Sequence, residues 1–353
     1  MYPAVAVVEA LESRGRSGLE VWYVGSPDGI ESGIAPRHGY RFEPVATGRL
    51  RGISWMRIPI EVMRGVRGTF EALRIVGQFR PQVILATGGY VSAPAVFAGW
   101  IRKVPRLLYL PDLTPGWAVT VLARFASRIA VSFPESQELL PGGRTIVTGY
   151  PVRGGIRSAS KEEARRALDL PAAEKVLLVL GGSQGALRIN RAVSAIREEL
   201  LQDAMVIHIA GSADREAMAK EAARLPDRLR ERYRLYGYLH EEIGSALAAA
   251  DLALGRAGAS ILGELPAAGL PSVLVPYPSA GRHQAQNAQY LASHRAAIVL
   301  EEEELGERLL PTLRTLLLDD LRRREMAAAA RQLATPGSAD ALASALESLA
   351  GIA

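Results

Sequence analysis

A glycine-rich turn near the middle of the chain is the feature with the clearest chemical consequence. The apolar run Val176–Leu180 leads directly into Gly181-Gly182-Ser183-Gln184-Gly185, and helical periodicity follows, which is the pattern of a strand, a tight turn and a helix start. Glycine lets the backbone approach a ligand closely, and the free N–H groups and dipole of the next helix favour an anion. The turn therefore predicts a phosphate site.

The same five residues also fit Gly-x-Ser-x-Gly, the nucleophile-elbow pattern of α/β-hydrolases. Asp251 and His283 follow Ser183 in the chain order Ser, Asp, His that this fold uses. A short glycine motif does not separate a phosphate site, a hydrolase nucleophile and a plain turn without a ligand. The hydrolase interpretation further requires an oxyanion loop, for which the chain carries no signature.

A second helix start of the same kind comes after the strand predicted at Leu252–Leu254. The small residues of Arg256–Ser260 open a short helix, whose first N–H groups could bind a diphosphate. Glu264, one turn into that helix, could accept hydrogen bonds from both hydroxyls of a ribose. Its alternative role is an ordinary solvent-facing carboxylate. Together, the two helix starts predict a nucleotide site.

Polar side chains cluster downstream of Pro276-Tyr277. His283, Gln284 and Asn287 combine an imidazole with side-chain amides, which donate and accept hydrogen bonds as sugar hydroxyls do. Taken singly, such residues are ordinary surface residues. Together, after a strand and downstream of Glu264, they predict a sugar pocket.

Short apolar strands alternate with longer helical stretches along the chain, which predicts parallel sheets built from β-α-β units. The expected fold class is α/β, with two Rossmann-like domains, each a sheet of its own, facing a cleft for two substrates. Ligands of such sheets bind beyond the carboxyl ends of the strands. The predicted strands are Val21–Val24, Val83–Ala86, Leu107–Leu110, Ile129–Ser132, Thr145–Thr148, Val176–Leu180, Val206–Ala210, Arg234–Tyr236, Leu252–Leu254, Ser272–Val275 and Ala297–Leu300.

A junction of low hydrophobic content at Gly149–Ser160 separates the two halves. We expect a first domain over residues 1–155, a second over residues 156–335, and a C-terminal helix within residues 336–353 that could pack back on either domain. The first helix, Tyr2–Leu11, has proline in its first turn and neither a strand nor a loop ahead of it. The chain is therefore expected to begin inside a β-α unit whose first strand and glycine loop are missing.

Composition argues against several classes of protein. No cysteine occurs among the 353 residues, which removes disulfides and thiol nucleophiles, and the five histidines lack metal-ligand spacing, so we expect no metal. The low-charge stretch Ser245–Tyr277 is broken by charges, prolines and glycines and does not read as a membrane span. We expect no signal peptide either. Glu301–Glu304 is predicted to be a solvated turn.

The net charge of +5 is concentrated in the first half. Up to Arg157 there are 19 basic and 11 acidic residues, so this part carries +8 and the remainder −3. Within Arg49–Arg74, arginines alternate with apolar residues such as Trp55, Met63 and Phe70. This pattern predicts contact with anionic lipid headgroups, the alternative being an amphipathic helix with a solvated basic face. No nucleic-acid-binding motif accompanies the charge.

Taken together, these motifs resemble the MurG family, the UDP-N-acetylglucosamine:undecaprenyl-diphospho-muramoylpentapeptide N-acetylglucosaminyltransferases of bacterial cell-wall synthesis. The resemblance covers nearly the whole chain, with the motifs in the family's order. It implies a GT-B fold in which the second domain holds most of the nucleotide sugar. The matching segments are Tyr2-Pro3-Ala4, Thr87–Ser92, Gly149–Arg153, Gly181–Gly185, Arg256–Glu264, Ala268–Pro271 and His283-Gln284 to Asn287.

The resemblance also implies an activity, the inverting transfer of N-acetylglucosamine from UDP-N-acetylglucosamine to undecaprenyl-diphosphate-linked muramoyl-pentapeptide, which converts lipid I to lipid II. It implies no cofactor and no nucleic acid partner. It places the protein peripherally at the cytoplasmic face of the cell membrane, with the anionic membrane surface as a partner. The open alternatives are another lipid acceptor, a noncatalytic UDP-sugar binder, a nucleotide-sugar epimerase of the same fold and the Ser183 hydrolase.

The residues that the resemblance assigns to substrate binding lie mostly in the second half. We expect most of them to contact the nucleotide sugar, one group of residues for each part of that molecule. They are Ser183, Ala259, Ser260 and Ile261 for diphosphate or uridine, Tyr238 and Leu239 for uracil, Glu264 for ribose, His283, Gln284 and Asn287 for the sugar, Arg153 near the junction, and Gln184 as a further substrate contact.

Two features depart from the family pattern. The histidine implied as catalytic base would lie just ahead of Met1, so the catalytic residue is unassigned, and the expected explanation is a start assigned too far downstream. Leu110-Pro111-Asp112 stands where relatives have Glu-Gln-Asn. Asp112 is a candidate for contacting the acceptor or acting as a base, and its alternative role is to cap the next segment.

Overall fold

The chain folds into two compact units, which are described in a computed structural model that covers residues 1–15, 18–29, 31–48, 54–158, 160–181, 186–240, 242–278 and 282–352. The first unit comprises Met1–Arg153 and Gly337–Ala353, and the second comprises Gly154–Pro336. All strand pairs run parallel within the described residues, as the alternation of strands and helices predicts.

The part of the first unit up to Arg153 alternates strands with helices. Each strand predicted there is confirmed to within one residue at either end, and one further strand, Arg41–Pro44, was not predicted. The elements are α1 (Tyr2–Ser13), β1 (Trp22–Gly25), α2 (Glu31–Arg37), β2 (Arg41–Pro44), α3 (Ile58–Phe79), β3 (Ile84–Ala86), α4 (Ala93–Ile101), β4 (Arg106–Leu110), α5 (Trp117–Leu122), β5 (Arg128–Val131) and β6 (Thr145–Val147).

The prediction of a single sheet in this half is wrong. β1 pairs with β2, whereas β3, β4, β5 and β6 form a separate ladder in chain order, and no pairing joins β1 to β3 in the described part of the chain. A cavity of about 510 Å³ is lined by both ladders together with side chains of α1 and α3.

Side-chain packing, rather than main-chain pairing, holds β1 and β2 to the rest of the unit. The Trp22 ring of β1 stacks on Phe79 of α3, with 4.5 Å between centroids. Val24 of β1 and Ile84 of β3 pack against the same small buried cluster, which includes Val76. Such contacts lack the directional hydrogen bonds of a ladder, so the two-stranded ladder depends on α3 for its place.

The second unit is built around one parallel sheet. Its predicted strands are also confirmed to within one residue at either end. The elements are α6 (Gly154–Ser158), α7 (Lys161–Ala167), β7 (Val176–Leu180), α8 (Leu187–Ala195), α9 (Arg197–Asp203), β8 (Met205–Ile209), α10 (Arg215–Ala222), α11 (Asp227–Arg230), β9 (Tyr233–Tyr236), α12 (Ile243–Ala249), β10 (Leu252–Gly255), α13 (Ile261–Ala268), β11 (Ser272–Leu274), α14 (Arg282–Ser293), β12 (Ala297–Val299), α15 (Leu305–Leu318) and α16 (Asp320–Gln332).

The strand order in this sheet is β12-β11-β10-β7-β8-β9. The chain moves outward from β7 through β8 and β9, then returns to place β10 on the other side of β7. Helices cover the sheet, and Leu177 and Val206 from the strands share a buried cluster with Val193 of α8 and Leu313 of α15. The reversal of strand order puts a topological switch point between β7 and β10.

The last helix, α17 (Ser338–Ala350), belongs to the first unit. Leu342 and Leu346 share a buried cluster with Val7 of α1 and Tyr109 of β4. Arg14, directly after α1, donates to Glu347 at 2.5 Å, which joins the ends of the two helices. The sequence left open which domain this helix contacts, and the contacts are with the first.

None of the described helices combines the length and the apolar composition that crossing a bilayer requires.

Candidate functional site

The carboxyl ends of β7 and β10 lie side by side at the switch point of the second sheet. Leu180 is paired with Gly255 in this ladder. A Cβ added at Gly255 would lie 3.0 Å from the Cβ of Leu180, so glycine is needed for the close approach of the two strands. Ligands of open α/β sheets bind at such a point. The two helix starts predicted from the sequence both follow this pair of strands.

The glycine turn leaves β7 at this edge. The Gly181 N–H donates to the Ile209 carbonyl oxygen of β8 at 2.8 Å, which extends the ladder by one residue. The turn itself, including Ser183 and Gln184, lies outside the described residues.

The start of α13 is the second helix terminus at the switch point. The Ile261 N–H donates to the Gly258 carbonyl at 3.1 Å, and the Glu264 N–H donates to the Ser260 carbonyl at 2.8 Å. Helical hydrogen bonding therefore begins at the Gly258 carbonyl. Glu264 is half-buried in the first turn of the helix. The structure therefore brings Ala259, Ser260, Ile261 and Glu264 together, as the sequence predicts, beside the end of β7.

Asn287 supports this loop from α14. Its side chain is 1% exposed, and its Nδ2 donates to the Ala257 carbonyl oxygen at 3.0 Å. That contact fixes the chain between β10 and α13. Asn287 was expected among the sugar-binding residues, and in the structure its side chain also supports the loop before α13.

His283 and Gln284 lie in the first turn of α14 and are half-buried. The Tyr277 N–H donates to Oε1 of Gln284 at 2.9 Å, which ties the start of this helix to the chain that leaves β11. These residues follow β11, the strand next to β10 in the sheet, at the same carboxyl edge as the helix starts. The polar cluster predicted from the sequence is thus assembled at the switch-point edge.

Tyr238 and Leu239 leave the carboxyl end of β9, two strands away from β7. At the usual spacing of about 4.8 Å between strands, this is roughly 10 Å along the same edge. The Tyr238 ring meets His240 edge-on with 4.6 Å between centroids, and Leu239 is buried. Both residues therefore lie at the predicted edge, apart from the helix starts.

A chain of buried hydrogen bonds fixes α8, the helix that follows the glycine turn. Asn190 of α8 donates to the Ala210 carbonyl at 2.8 Å and accepts from Nε2 of His208 at 3.0 Å. Nδ1 of His208 accepts from the Tyr233 hydroxyl at 2.9 Å. Burial lowers the pKa of His208 to about 3, and the charge of Arg197 adds to this effect, so the ring is neutral. No local pattern in the sequence signals this contact, because the partners lie on three elements.

The structure contradicts the alternative that Ser183, Asp251 and His283 form a hydrolase triad. Asp251 precedes β10, so it lies at the amino-terminal edge of the sheet, whereas the glycine turn and His283 follow carboxyl ends. Its carboxylate accepts from Arg165 and from the Val176 N–H, both at 2.8 Å. A parallel strand separates the two edges, so Asp251 cannot orient a histidine at the other one.

A cavity of about 440 Å³ lies at this amino-terminal edge, lined by charged side chains of α16 and by Asp251. Its lining residues belong to the second unit. Ligands of open α/β sheets bind at the opposite edge, so the predicted nucleotide site does not coincide with this cavity.

The first unit contributes the remaining candidates. Asp112 follows the carboxyl end of β4 and is half-buried. Gly88 and Gly89 follow the neighbouring strand β3 with φ values of 82° and 76°, a conformation that favours glycine. The Arg153 guanidinium carbon lies 3.9 Å from the centroid of the Tyr2 ring. Asp112 and the glycine pair therefore share one sheet edge.

The solvated turn predicted at Glu301–Glu304 has exposed residues at Glu301 and Glu303, but the prediction is wrong for Glu302. The Glu302 side chain is only 13% exposed and forms an ion pair with Arg256. The partners lie 46 residues apart, and the sequence shows no periodicity that would connect them. The signal that could have found this pair is the position of Arg256, a charged residue directly after a buried strand.

Comparison with solved structures defines the class of protein. MurG from Acinetobacter baumannii has a TM-score of 0.69 at 24% identity, covering 98% of this chain and 95% of that one. A putative UDP-N-acetylglucosamine 2-epimerase from Listeria monocytogenes has a TM-score of 0.72 at 14% identity, covering 99% and 94%. At these identities the likeness shows the fold alone, and the fold is that of GT-B proteins, with two Rossmann-like domains.

Sequence comparison then gives the family. Residues 1–131 match the glycosyltransferase family 28 N-terminal domain and residues 176–342 match the glycosyltransferase family 28 C-terminal domain. Proteins from Desulforudis audaxviator and Moorella thermoacetica, both 38% identical, are named UDP-N-acetylglucosamine–N-acetylmuramyl-(pentapeptide) pyrophosphoryl-undecaprenol N-acetylglucosamine transferase; the matches cover 99% and 97% of this chain and 95% and 94% of those proteins. The chain belongs to glycosyltransferase family 28 and, within it, to the MurG family. The resemblance and the GT-B fold class predicted from the sequence are confirmed.

Proposed function

We propose that this chain transfers N-acetylglucosamine, with inversion, from UDP-N-acetylglucosamine to the lipid-linked muramoyl-pentapeptide in peptidoglycan synthesis. The observation that carries the donor half is the start of α13 with Glu264, which follows β10 beside the carboxyl end of β7 at the switch point. The acceptor half rests on relatives that are 38% identical over nearly the whole chain and are named for this acceptor. Among GT-B proteins, sequence similarity at this level favours the transferase over the epimerase.

The proposed donor site follows the carboxyl edge of the second sheet. The N–H groups at the start of α13, with the turn that carries Ser183 and Gln184, would hold the diphosphate. Glu264 would accept from the ribose hydroxyls and Tyr238 with Leu239 would flank the uracil. His283 and Gln284 would bind the sugar hydroxyls.

The proposed reaction breaks the bond between the anomeric carbon and the diphosphate oxygen while the acceptor hydroxyl attacks from the opposite face, which inverts the configuration. Negative charge grows on the departing UDP, and the two helix starts would stabilise it. A base must take the hydroxyl proton. Asp112, at the carboxyl edge of the first unit, is the candidate for that base or for a contact with the acceptor, and Arg153 is a further substrate contact.

The experiment that tests this function measures UDP release from UDP-N-acetylglucosamine, with and without a soluble lipid-linked muramoyl-pentapeptide analogue. The proposal predicts release that depends on the acceptor and a product with β configuration at the new bond. Binding of the donor without release would favour the noncatalytic binder. Release with other lipid acceptors only would point to a different transferase, and formation of an epimeric sugar without acceptor would favour the epimerase.

We further propose that the segment from Trp55 to Phe70 docks this protein peripherally on the cytoplasmic face of the cell membrane. Met56, Met63 and Phe70 recur every seven residues, so they form one stripe, and their exposed fractions are 68%, 71% and 65%. A solvated basic helix would bury its apolar stripe instead. Apolar side chains of this size, exposed together, are typical of a surface that contacts a membrane or partner.

Arginines border this stripe and give the segment its charge. Arg64 and Arg67 are exposed, with Arg67 directly on the stripe between Met63 and Phe70. Such groups would bind the phosphates of anionic lipids. Arg49 and Arg51, which the sequence places in the same segment, lie outside the described residues.

Sedimentation with lipid vesicles tests the membrane proposal. We expect binding to vesicles that contain phosphatidylglycerol, weakened by salt, and a loss of about tenfold or more on replacing Met63 and Phe70 by serine. Leu318 and Leu321, exposed apolar residues of the second unit, provide the matched serine control. Equal binding by both double variants would show that the stripe is not the docking surface.

A further inference from the structure

Arg256 connects three segments at the edge proposed to bind the donor. Its Nη1 donates to the Val275 carbonyl at 3.2 Å and to the Pro276 carbonyl at 3.3 Å, while Nη2 donates to Glu302. The side chain is 15% exposed. Arg256 thus connects the end of β10 with the chain leaving β11 and with the turn before α15.

The aromatic ring of Tyr277 completes this group. The Arg256 guanidinium carbon lies 5.1 Å from the ring centroid, within the range of a cation–π contact. Two carbonyls and a ring from three consecutive residues therefore contact one planar cation. A lysine could not make this set of contacts, because it lacks the guanidinium's fork of donors.

The main chain held in this way sets the orientation of the Gln284 amide. The Tyr277 N–H donates to the Gln284 side chain at 2.9 Å. An N–H group can donate to an amide oxygen and not to an amide NH2, so the oxygen of Gln284 faces Tyr277. The NH2 group lies on the other side of the amide. Gln284 consequently presents hydrogen-bond donors, not an acceptor, to a ligand on that side.

We propose that Arg256 is a positioning residue for sugar recognition. It holds Pro276-Tyr277 in place, so that the NH2 group of Gln284 donates a hydrogen bond to an oxygen of the sugar. The inference rests on the proposed function, since the sugar is the N-acetylglucosamine of the donor. Glu302 keeps the guanidinium in its plane. Without Arg256, the main-chain N–H of Tyr277 is no longer held in position. The Gln284 amide can then rotate and present either its oxygen or its NH2 group to the ligand.

The test compares the affinities of UDP and UDP-N-acetylglucosamine by calorimetry in the Arg256→Lys variant. We expect the affinity for UDP-N-acetylglucosamine to fall by about two- to tenfold, the scale of one lost hydrogen bond, while the affinity for UDP changes by less than about twofold. Arg308→Lys is the matched control, because Arg308 pairs with Glu304 in the neighbouring turn and should leave both affinities unchanged.

A double-mutant cycle separates positioning from a general structural role. Gln284→Ala should show the same selective loss, and Arg256→Lys should add almost nothing to it, because the arginine acts through the amide. Additive losses, or an equal loss of UDP affinity, would overturn the inference. If Arg256→Lys does not fold, Glu302→Asp, which withdraws the carboxylate from Arg256, is measured in the same cycle.

The failure of this inference can be distinguished from the failure of the proposed function. If the unaltered protein has no affinity for UDP-N-acetylglucosamine, both are overturned. The other case is that the unaltered protein binds UDP-N-acetylglucosamine while Arg256→Lys shows the same difference in affinity between UDP-N-acetylglucosamine and UDP. In that case the inference alone fails and the transferase proposal stands.

Discussion

Glu264 is the residue on which the proposed nucleotide site depends most directly, since it is the carboxylate in the first turn of α13. Glu264→Ala should weaken binding of UDP-N-acetylglucosamine by about 1.5 to 3 kcal/mol, the range for hydrogen bonds to a charged group. Calorimetry measures this, with Glu303→Ala as a control at an exposed glutamate of the same unit. Unchanged affinity in Glu264→Ala would remove the ribose role.

His208 makes the stability of the second unit dependent on pH. Its pKa is about 3 in the folded state, lowered by burial, whereas an unfolded histidine has a pKa near 6.5. The unfolded chain therefore takes up a proton first as the pH falls. The stabilising contribution is complete above about pH 6.5 and is lost progressively towards pH 3, by about 2 kcal/mol between pH 7 and pH 5.

The variant that tests this is His208→Gln, whose amide can donate to Asn190 and accept from Tyr233 but does not titrate. Urea denaturation at pH 7 and pH 5 measures how much the free energy of unfolding decreases between the two pH values. We expect this decrease to be about 2 kcal/mol smaller in the variant than in the unaltered protein. Circular dichroism detects the unfolding of both units, whereas tryptophan fluorescence detects only that of the first, because all four tryptophans lie before Arg153. The transition seen by circular dichroism alone is therefore that of the second unit. An equal loss in both proteins would mean that another group titrates.

Local spacing was sufficient to locate the residues of the switch point. Small residues and a carboxylate that directly follow a buried strand must lie at its carboxyl edge, so Glu264 and Ala259–Ile261 could be placed from the sequence. The contact between Arg256 and Glu302, and that between His208 and Asn190, could not be predicted. Each joins separate elements, and neither has a spacing that distinguishes it from solvated polar residues.

At the scale of elements, the ladder of β1 and β2 is the least supported part of the first unit. The edge of β1 that faces away from β2 has no strand partner in the described chain. Amides of β1 should therefore exchange with solvent about tenfold or more faster than those of β4, which is paired on both sides. Hydrogen exchange followed by mass spectrometry measures this, and equal protection of the two strands would contradict it.

Helix α17 is expected to stabilise the first unit and not the second. Leu342 is fully buried, so Leu342→Ala should reduce the free energy of unfolding of that unit by about 2 to 5 kcal/mol. Ile352→Ala, at a side chain 47% exposed, should change it by no more than about 0.5 kcal/mol. Tryptophan fluorescence during denaturation reports the first unit selectively. A shift in the second unit's transition instead would contradict the assignment of α17.

Strands were predicted well because each is a short apolar run bounded by turn residues. The exception is β2, Arg41–Pro44, whose charged residues and final proline are typical of an edge strand and of a loop alike. The separation of the first half into two ladders could not be predicted either. Pairing between strands depends on contacts distant in sequence, which the apolar pattern of a single strand does not reveal.

At the scale of the whole molecule, the two units divide the proposed chemistry. Every residue proposed to contact the nucleotide sugar lies in the second unit apart from Arg153. Asp112 and the exposed stripe on α3 belong to the first. The charge follows the same division, with +8 up to Arg157 and −3 beyond it. The sequence could predict this division, since both the motifs and the charge change near the junction.

The interrupted first unit has a consequence for synthesis on the ribosome. The cluster around Val7 and Tyr109 is incomplete until Leu342 and Leu346 have been made, after the whole of the second unit. The second unit, in contrast, is one uninterrupted stretch and has been synthesised completely before α17 is translated. Domains usually fold in the order of synthesis. Here the later unit can finish first, and the nascent first unit waits through some 180 residues of elongation for its last helix.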